Sequence, residues 1–269
     1  MTQAPTVAQR LDHGLREADD LRRQGQYDQA VEIMAGLLSL ADRECGADSV
    51  AAAGVRNDYG VLLKATGQYR EARTLYQQAL SALLDGPAGE RSHDVAVLYH
   101  NLAGIDLVLD DPTRAADWAR RGLAIRRALV GPEHPSVLLD EGNLAPILIT
   151  LGELDEAELL LTHLLDRFVA LCGPDDYEVA VTLTNLGGLA AHRGRWASAG
   201  EHLRRAVQIK IGLLGTANPD LIRTLINLAV VAENLGEQHE SDQAHTHALQ
   251  IARASLPPDN PLRLALENW

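Results

Sequence analysis

The chain is poor in aromatic residues and nearly devoid of lysine. Its 269 residues include one Phe, three Trp and six Tyr, together 4% of the chain. A core of large aromatic side chains is therefore excluded, and the abundant Leu and Ala suit close packing of helices. Arg outnumbers Lys 22 to 2, which is typical of a GC-rich bacterial genome. No apolar run approaches the ~18–20 residues that span a bilayer, so we expect no membrane segment.

The chain also lacks a basic excess, since its formal net charge is −13. Nucleic acid and anionic membrane both require a basic footprint, so neither is expected as a partner. A partner of basic character fits the charge better. The N-terminal Met-Thr-Gln-Ala-Pro shows no basic region followed by an apolar run, so we expect no signal peptide and a cytoplasmic location.

Sequence motifs for catalysis and metal binding are missing as well. Neither Gly-x-Ser-x-Gly nor a phosphate-binding Gly-rich loop occurs, and there is no His-Glu-x-x-His. His239, His245 and His247 fall on one helix, but 245 and 247 point to different sides of it. We therefore expect no enzyme activity, no metal site and no cofactor.

A short helix-turn pattern is present six times at a nearly constant interval. Its first residues are 42 or 43 positions apart: Gly25, Gly67, Asp110, Gly152, Gly194 and Gly236. Self-similarity at this period predicts an all-α, right-handed superhelical solenoid of helix-turn-helix repeats. The whole chain, 1–269, is expected to form one such solenoid. We place the repeats at 8–46, 49–86, 92–131, 135–173, 177–215 and 219–257, with a capping helix at 261–269.

The aligned repeats predict where the two helices of each unit meet and end. One column of the first helix is always small: Ala18, Gly60, Ala103, Ala145, Gly187 and Ala229. A small residue there lets the second helix approach closely. Asp111 is expected to cap the second helix of the third repeat and Pro112 to begin it. Pro146 should kink the first helix of the fourth repeat. Cys45 and Cys172 lie three repeats apart and are interpreted as reduced thiols.

Three motifs carry a family resemblance. Residues 101–103 (Asn-Leu-Ala), 67–72 (Gly-Gln-Tyr-Arg-Glu-Ala) and 129–135 (Leu-Val-Gly-Pro-Glu-His-Pro) resemble the tetratricopeptide repeat in its 42-residue kinesin light chain form. The resemblance covers roughly residues 8–261. It implies a non-catalytic module that binds a protein or peptide on a concave face lined by the first helices.

In such repeats, polar residues of the concave face often hold the backbone of a bound peptide, and an Asn amide offers both a donor and an acceptor. Gly104 and Gly188 are expected to leave space for ligand side chains. The alternative is that the Asn column only satisfies helix ends or neighbouring backbone. The candidate binding residues are Asn57, Asp58, Lys64, His100, Asn101, Asn143, Thr184, Asn185, His192, Arg223, Asn227 and Asn234.

Two further functions remain open at this level. Besides a passive adaptor, the chain could be a regulatory sensor whose superhelix changes when a signalling peptide or partner protein binds. A solenoid suits this role because small rotations of each repeat add up along the stack. Self-association through the exposed ends would instead make it a scaffold.

Overall fold

A computed structural model describes residues 5–86 and 92–269, so the first four residues of the N-terminal segment considered above lie outside the described part. Over these two ranges the chain forms thirteen α-helices and one short 3-10 helix, without a β-strand. The contacts divide the chain into two compact units, Met1–Asn143 and Leu144–Trp269. The boundary falls inside one helix, and each unit is a series of antiparallel helix pairs.

In the N-terminal unit, three first helices alternate with three second helices. The first helices are α1 (Val7–Arg23), α3 (Val50–Ala65) and α5 (His93–Val108), and the second helices are α2 (Tyr27–Cys45), α4 (Tyr69–Leu84) and α6 (Pro112–Val130). Helix α7 (Pro135–Leu151) begins here and crosses the boundary between the units.

The C-terminal unit continues the pattern with α8 (Leu154–Cys172), α9 (Tyr177–His192), α10 (Trp196–Leu214), α11 (Ile222–Leu235) and α12 (Gln238–Ser255). A 3-10 turn (Pro219–Leu221) precedes α11, and the terminal helix α13 (Pro261–Glu267) packs on α12. The expected all-α fold with paired helices and a terminal helix is thus confirmed.

The turn between the helices of a pair needs a left-handed backbone, as the sequence predicted. Gly67, for example, has a φ of 86°, a value that glycine adopts without steric cost. The third repeat has no glycine here, and Asp110 adopts the conformation instead with a φ of 61°. Asp111 then caps α6 by accepting a hydrogen bond from the Arg114 N–H at 3.1 Å, and Pro112 is the first helical residue.

The small-residue column marks the closest approach within a pair. A Cβ atom added to Gly60 would lie 2.5 Å from Cε1 of Tyr76, and one added to Gly187 would lie 2.5 Å from Cγ of Leu203. Both neighbours are fully buried side chains of the second helix. The predicted close packing is confirmed at both positions.

Helix α7 continues through Pro146 without interruption. The hydroxyl of Thr150 donates to the Pro146 carbonyl at 2.9 Å, one turn back along the helix. The proline is thus accommodated inside a helix, and the kink remains a prediction. Cys45 and Cys172 end α2 and α8 as free, exposed thiols, in agreement with their interpretation.

The first helices form the inner side of each unit. In the N-terminal unit α1 contacts α3 and α3 contacts α5, whereas α2 and α4 make no comparable contact among the described residues. In the C-terminal unit α9 contacts α11 in the same way. A stack whose first helices are closer together curves toward them. We call the two surfaces the N-terminal inner face (α1, α3 and α5) and the C-terminal inner face (α9 and α11).

Candidate functional site

Asparagines of successive first helices meet on the N-terminal inner face. The Asn101 side-chain amide donates a hydrogen bond to Oδ1 of Asn57 at 2.8 Å, and the Asn57 amide donates to Asp58 at 3.1 Å. The Asn143 amide donates to the backbone carbonyl of His100 at 3.2 Å. The asparagines therefore join neighbouring repeats. All three are half-buried, so part of each residue stays accessible.

His100 belongs to a buried polar network. Its Nδ1 lies 2.9 Å from Oδ1 of Asp140, and Oδ2 of the same carboxylate accepts a hydrogen bond from Nε of Arg126 at 2.8 Å. The other end of the guanidinium lies 2.8 Å from Nδ1 of His93. Burial opposes ionisation of Asp140, but the hydrogen bonds from His100 and Arg126 outweigh it and lower the pKa. His100 thus has a structural contact in addition to its exposed edge.

Lys64 covers the space that Gly104 was expected to leave for a ligand. A Cβ added to Gly104 would lie 3.1 Å from Nζ of Lys64. The expected opening at Gly104 is therefore wrong, because a long side chain of the preceding repeat fills it. At Gly188 the nearest atom to an added Cβ is Nδ2 of Asn227 at 4.0 Å, so space is open there and its use by a ligand stays a prediction.

Two cavities flank α3 on the N-terminal inner face. The first, of about 290 Å³, lies between α1 and α3, and Met34 of α2 is among its lining residues. The second, of about 270 Å³, lies between α3 and α5, with Leu83 of α4 lining it. Asp58 lines both cavities. The sequence pattern indicated Asp58 but not the cavities, because their walls come from helices that are distant in sequence.

Thr184 and Asn185 are corrections to the sequence interpretation, because both are buried rather than exposed on the C-terminal inner face. The Thr184 hydroxyl donates to the Ala180 carbonyl at 2.8 Å and lies 3.1 Å from the hydroxyl of Thr224. Oδ1 of Asn185 accepts a hydrogen bond from Arg223 at 3.1 Å. Close packing of α9 against α11 encloses both side chains, so they link helices and are not free for a ligand.

The other candidates on the C-terminal inner face remain accessible. Arg223, His192 and Asn234 are exposed, and Asn227 is half-buried. The Asn234 amide donates to the Val230 carbonyl one turn earlier at 2.8 Å. This face therefore presents cationic and amide groups, whereas the N-terminal inner face presents carboxylate and amide groups beside aliphatic side chains.

Lys210 is a buried charged residue that the sequence reasoning missed. Its Nζ donates to the Asp220 carbonyl at 3.0 Å and to the Thr224 hydroxyl at 2.9 Å. Burial lowers the pKa of Lys210 to about 8, and the neighbouring Arg223 contributes in the same direction. A lysine in a helix column that carries Leu83 and Phe168 in other repeats was the available signal.

The histidines of α12 have separate partners. Nε2 of His245 lies 2.9 Å from the Leu266 carbonyl, and Nε2 of His247 lies 2.7 Å from the Thr216 carbonyl. Within residues 5–86 and 92–269, no three His, Cys, Asp or Glu side chains are grouped so as to hold a metal ion. Over the same ranges, no helix is both long and apolar enough to cross a membrane.

Stacked helix pairs with an inner face lined by the first helices define a helical-repeat protein. A sequence model of the tetratricopeptide repeat matches residues 13–85, 94–170 and 178–254. The chain therefore belongs to the tetratricopeptide repeat family, whose fold is generally a non-catalytic protein-interaction scaffold.

Two curated relatives are much longer than this chain. A clustered mitochondria protein homolog of Aspergillus clavatus is 22% identical over 179 residues, which are 65% of this chain and 14% of that protein. Protein KINESIN LIGHT CHAIN-RELATED 2 of Arabidopsis thaliana is 25% identical over 174 residues, 64% of this chain and 26% of that protein. The chain thus spans between a seventh and a quarter of these relatives.

Solved structures show the same fold at low sequence identity. BtubC from P. vanneervenii is 23% identical, with a TM-score of 0.58 and 91% of each chain covered. NprR in complex with its cognate peptide NprX is 15% identical, with a TM-score of 0.74 over 95% of this chain and 70% of that one. A Rap protein complexed with competence and sporulation factor is 13% identical, with a TM-score of 0.68 over 95% and 79%.

Proposed function

We propose that this chain binds an extended peptide or partner segment along its inner faces, without catalysis. The observation that carries the proposal is the row of half-buried asparagines, in which Asn101 donates to Asn57 of the adjacent repeat and part of each residue stays accessible. A row of amides at repeat intervals offers donors and acceptors to a peptide backbone whatever its side chains are. The accessible amide of Asn227 extends the same chemistry to the C-terminal inner face.

Paired substitutions test each inner face separately. Asn57→Ala with Asn101→Ala removes both members of one hydrogen-bonded pair, so no amide of that pair is left buried without its partner. Asn227→Ala with Asn234→Ala removes the two accessible asparagine side chains of α11 on the C-terminal inner face. The sequence-based choice of Asn185 is unsuitable, because its loss would leave Arg223 without an acceptor.

The assay is a pull-down from lysate of the source cell, with mass spectrometry of the proteins retained by each variant. Gln78→Ala with Gln243→Ala serves as the matched control, since both glutamines are exposed on second helices. We expect at least one protein to be retained by the wild type and the control but lost with an inner-face variant whose circular dichroism is unchanged. Equal retention by all variants would place the interaction elsewhere and contradict the proposal.

A regulatory sensor is the second candidate function. It is favoured by the similarity of this fold to NprR, a quorum sensor solved with its cognate peptide, and to a Rap protein solved with competence and sporulation factor. Under this proposal the bound peptide changes the conformation of the stack. Small-angle scattering and hydrogen exchange, recorded with and without a peptide shown to bind, should then differ, and identical profiles would argue for a passive adaptor.

A further inference from the structure

The N-terminal inner face carries features that define one class of peptide, on the assumption that the proposed function is correct. Its two cavities have largely aliphatic walls. Leu15, Val61 and Leu62 line the first, and Val50, Val97 and Leu98 line the second. Val50 and Val61 are 52% and 42% exposed, which leaves apolar surface that a ligand can cover. Burial of that surface against aliphatic ligand side chains is favourable.

Asp58 is the carboxylate that separates these two apolar regions. Within the described part of the chain, its one hydrogen-bonding partner is the neutral amide of Asn57, and it forms no ion pair there. Asp19, which also lines the first cavity, is in contrast paired with both Arg22 and Arg23. Asp19 is thus neutralised by its neighbours, whereas Asp58 retains its charge, and Asp94 is a third carboxylate, in the lining of the second cavity.

The surroundings of Asp58 favour the arrival of a cation. Loss of water around the carboxyl raises the pKa of Asp58, and the nearby charge of Asp19 raises it further. Burial raises the pKa of Tyr76, and the charge of Asp58 raises it further; the buried Tyr76 hydroxyl has no hydrogen-bond partner among the described residues. A positive charge next to Asp58 relieves this accumulation of negative potential.

The spacing of an extended peptide suits two cavities that flank one helix. Alternate side chains of an extended chain point to the same side, about 6.6–6.8 Å apart, so residues two before and two after a central one are about 13 Å apart. Neighbouring packed helices are about 8–10 Å apart. Side chains on either side of a central residue facing α3 therefore reach toward the clefts between α1 and α3 and between α3 and α5.

We propose that the N-terminal inner face selects extended peptides with Lys or Arg at a central position and aliphatic residues two positions before and two positions after it. The cation pairs with Asp58, and the two aliphatic side chains enter the cavities on either side of α3. A phosphate or an acidic peptide would be repelled by the same carboxylate.

A display library of random twelve-residue peptides tests this specificity. It is sorted on the folded wild-type chain, on Asp58→Asn and on Asp58→Lys, with Asp117→Asn as control because Asp117 is exposed on a second helix of the same unit. The wild type and the control should enrich the basic residue with its flanking aliphatics. Asp58→Asn should keep the aliphatics and lose the basic preference, and Asp58→Lys should prefer Asp or Glu.

Affinity measurements on an enriched peptide complete the test. Fluorescence anisotropy with the labelled peptide should show a loss of about tenfold or more for Asp58→Asn, as expected for a charge-assisted contact. Enriched peptides without a basic residue, or the same basic preference on Asp58→Asn, would overturn the inference while leaving peptide binding intact. If no peptide is enriched on any variant and none binds, the proposed function fails as well.

Discussion

Gly187 and Gly188 are adjacent in α9 and differ sharply in their surroundings. A Cβ added to Gly187 would lie 2.5 Å from Cγ of Leu203, a fully buried side chain of α10. A Cβ added to Gly188 would meet nothing closer than Nδ2 of Asn227 at 4.0 Å. Alanine substitutions at the two positions therefore distinguish the effect of close helix packing on stability from the intrinsic cost of glycine in a helix.

The expected magnitudes follow from two opposing contributions. Alanine is favoured over glycine inside a helix by about 0.8–1.0 kcal/mol, and both substitutions gain this amount. Overpacking of a buried contact costs about 1–3 kcal/mol, and only Gly187→Ala incurs it. Gly188→Ala should thus raise the free energy of unfolding by about 1 kcal/mol, and Gly187→Ala should lie about 1–3 kcal/mol below it. At roughly 2–4 °C per kcal/mol, the melting temperatures should differ by roughly 2–12 °C.

Urea denaturation and thermal melting, both followed by circular dichroism at 222 nm, measure the difference. Using the two variants as mutual controls cancels the helix propensity of alanine, so the gap between them reports the contact with Leu203. Equal stability of Gly187→Ala and Gly188→Ala would refute the argument that a small residue is required where α9 and α10 cross.

Two buried charges give further predictions. The free energy of unfolding should rise by about 2 kcal/mol from pH 7 to pH 10, because the folded-state pKa of Lys210, about 8, lies below the usual 10.5 and the unfolded chain binds the extra proton in that interval. Urea titrations across this range should show the rise in the wild type and not in Lys210→Met. Above pH 10 the trend should reverse, because burial raises the pKa of Tyr177 to about 12. Asp140→Asn should cost about 3–5 kcal/mol by leaving Arg126 buried without a charged partner. In the same denaturation assay, the double variant Arg126→Leu with Asp140→Leu should be less destabilised than Asp140→Asn. A double variant whose loss in the free energy of unfolding equals the sum of the losses of the two single variants would contradict this coupling.

The local features of the fold were predictable from the sequence because each depends on a few neighbouring residues. The turn of each repeat needs a left-handed residue, and the chain supplies Gly67 or, in the third repeat, Asp110. Asp111 and Pro112 begin α6 through contacts that span three residues. The helix boundaries follow from such signals, repeated along the chain.

The junctions between repeats were harder to predict, since they pair residues from different helices. Two junctions carry a buried polar pair at equivalent positions: Asp140 with Arg126 at 2.8 Å, and Thr224 with Lys210 at 2.9 Å. The first junction has Arg56 with the half-buried Asp42 at 2.8 Å, one position later on each helix. The junction between the second and third repeats has Leu83 and Leu98 at these positions. Charged residues in an otherwise apolar column were a visible signal. Their partners are identified only when the helices are packed.

The repeat period, the paired helices and the close-packed small-residue column were determined by the sequence itself, because helix formation and turn conformation act over a few residues. Whether each inner-face candidate is exposed or buried, and which residue it contacts, was decided by the tertiary structure. Asn185 is enclosed by Arg223, which is 38 positions away, while Asn101 is shared with Asn57. Asp58 lies between two cavities whose walls come from neighbouring repeats. Burial, pairing and cavity shape depend on side chains about forty residues apart, and only the packing of one repeat on the next brings them together.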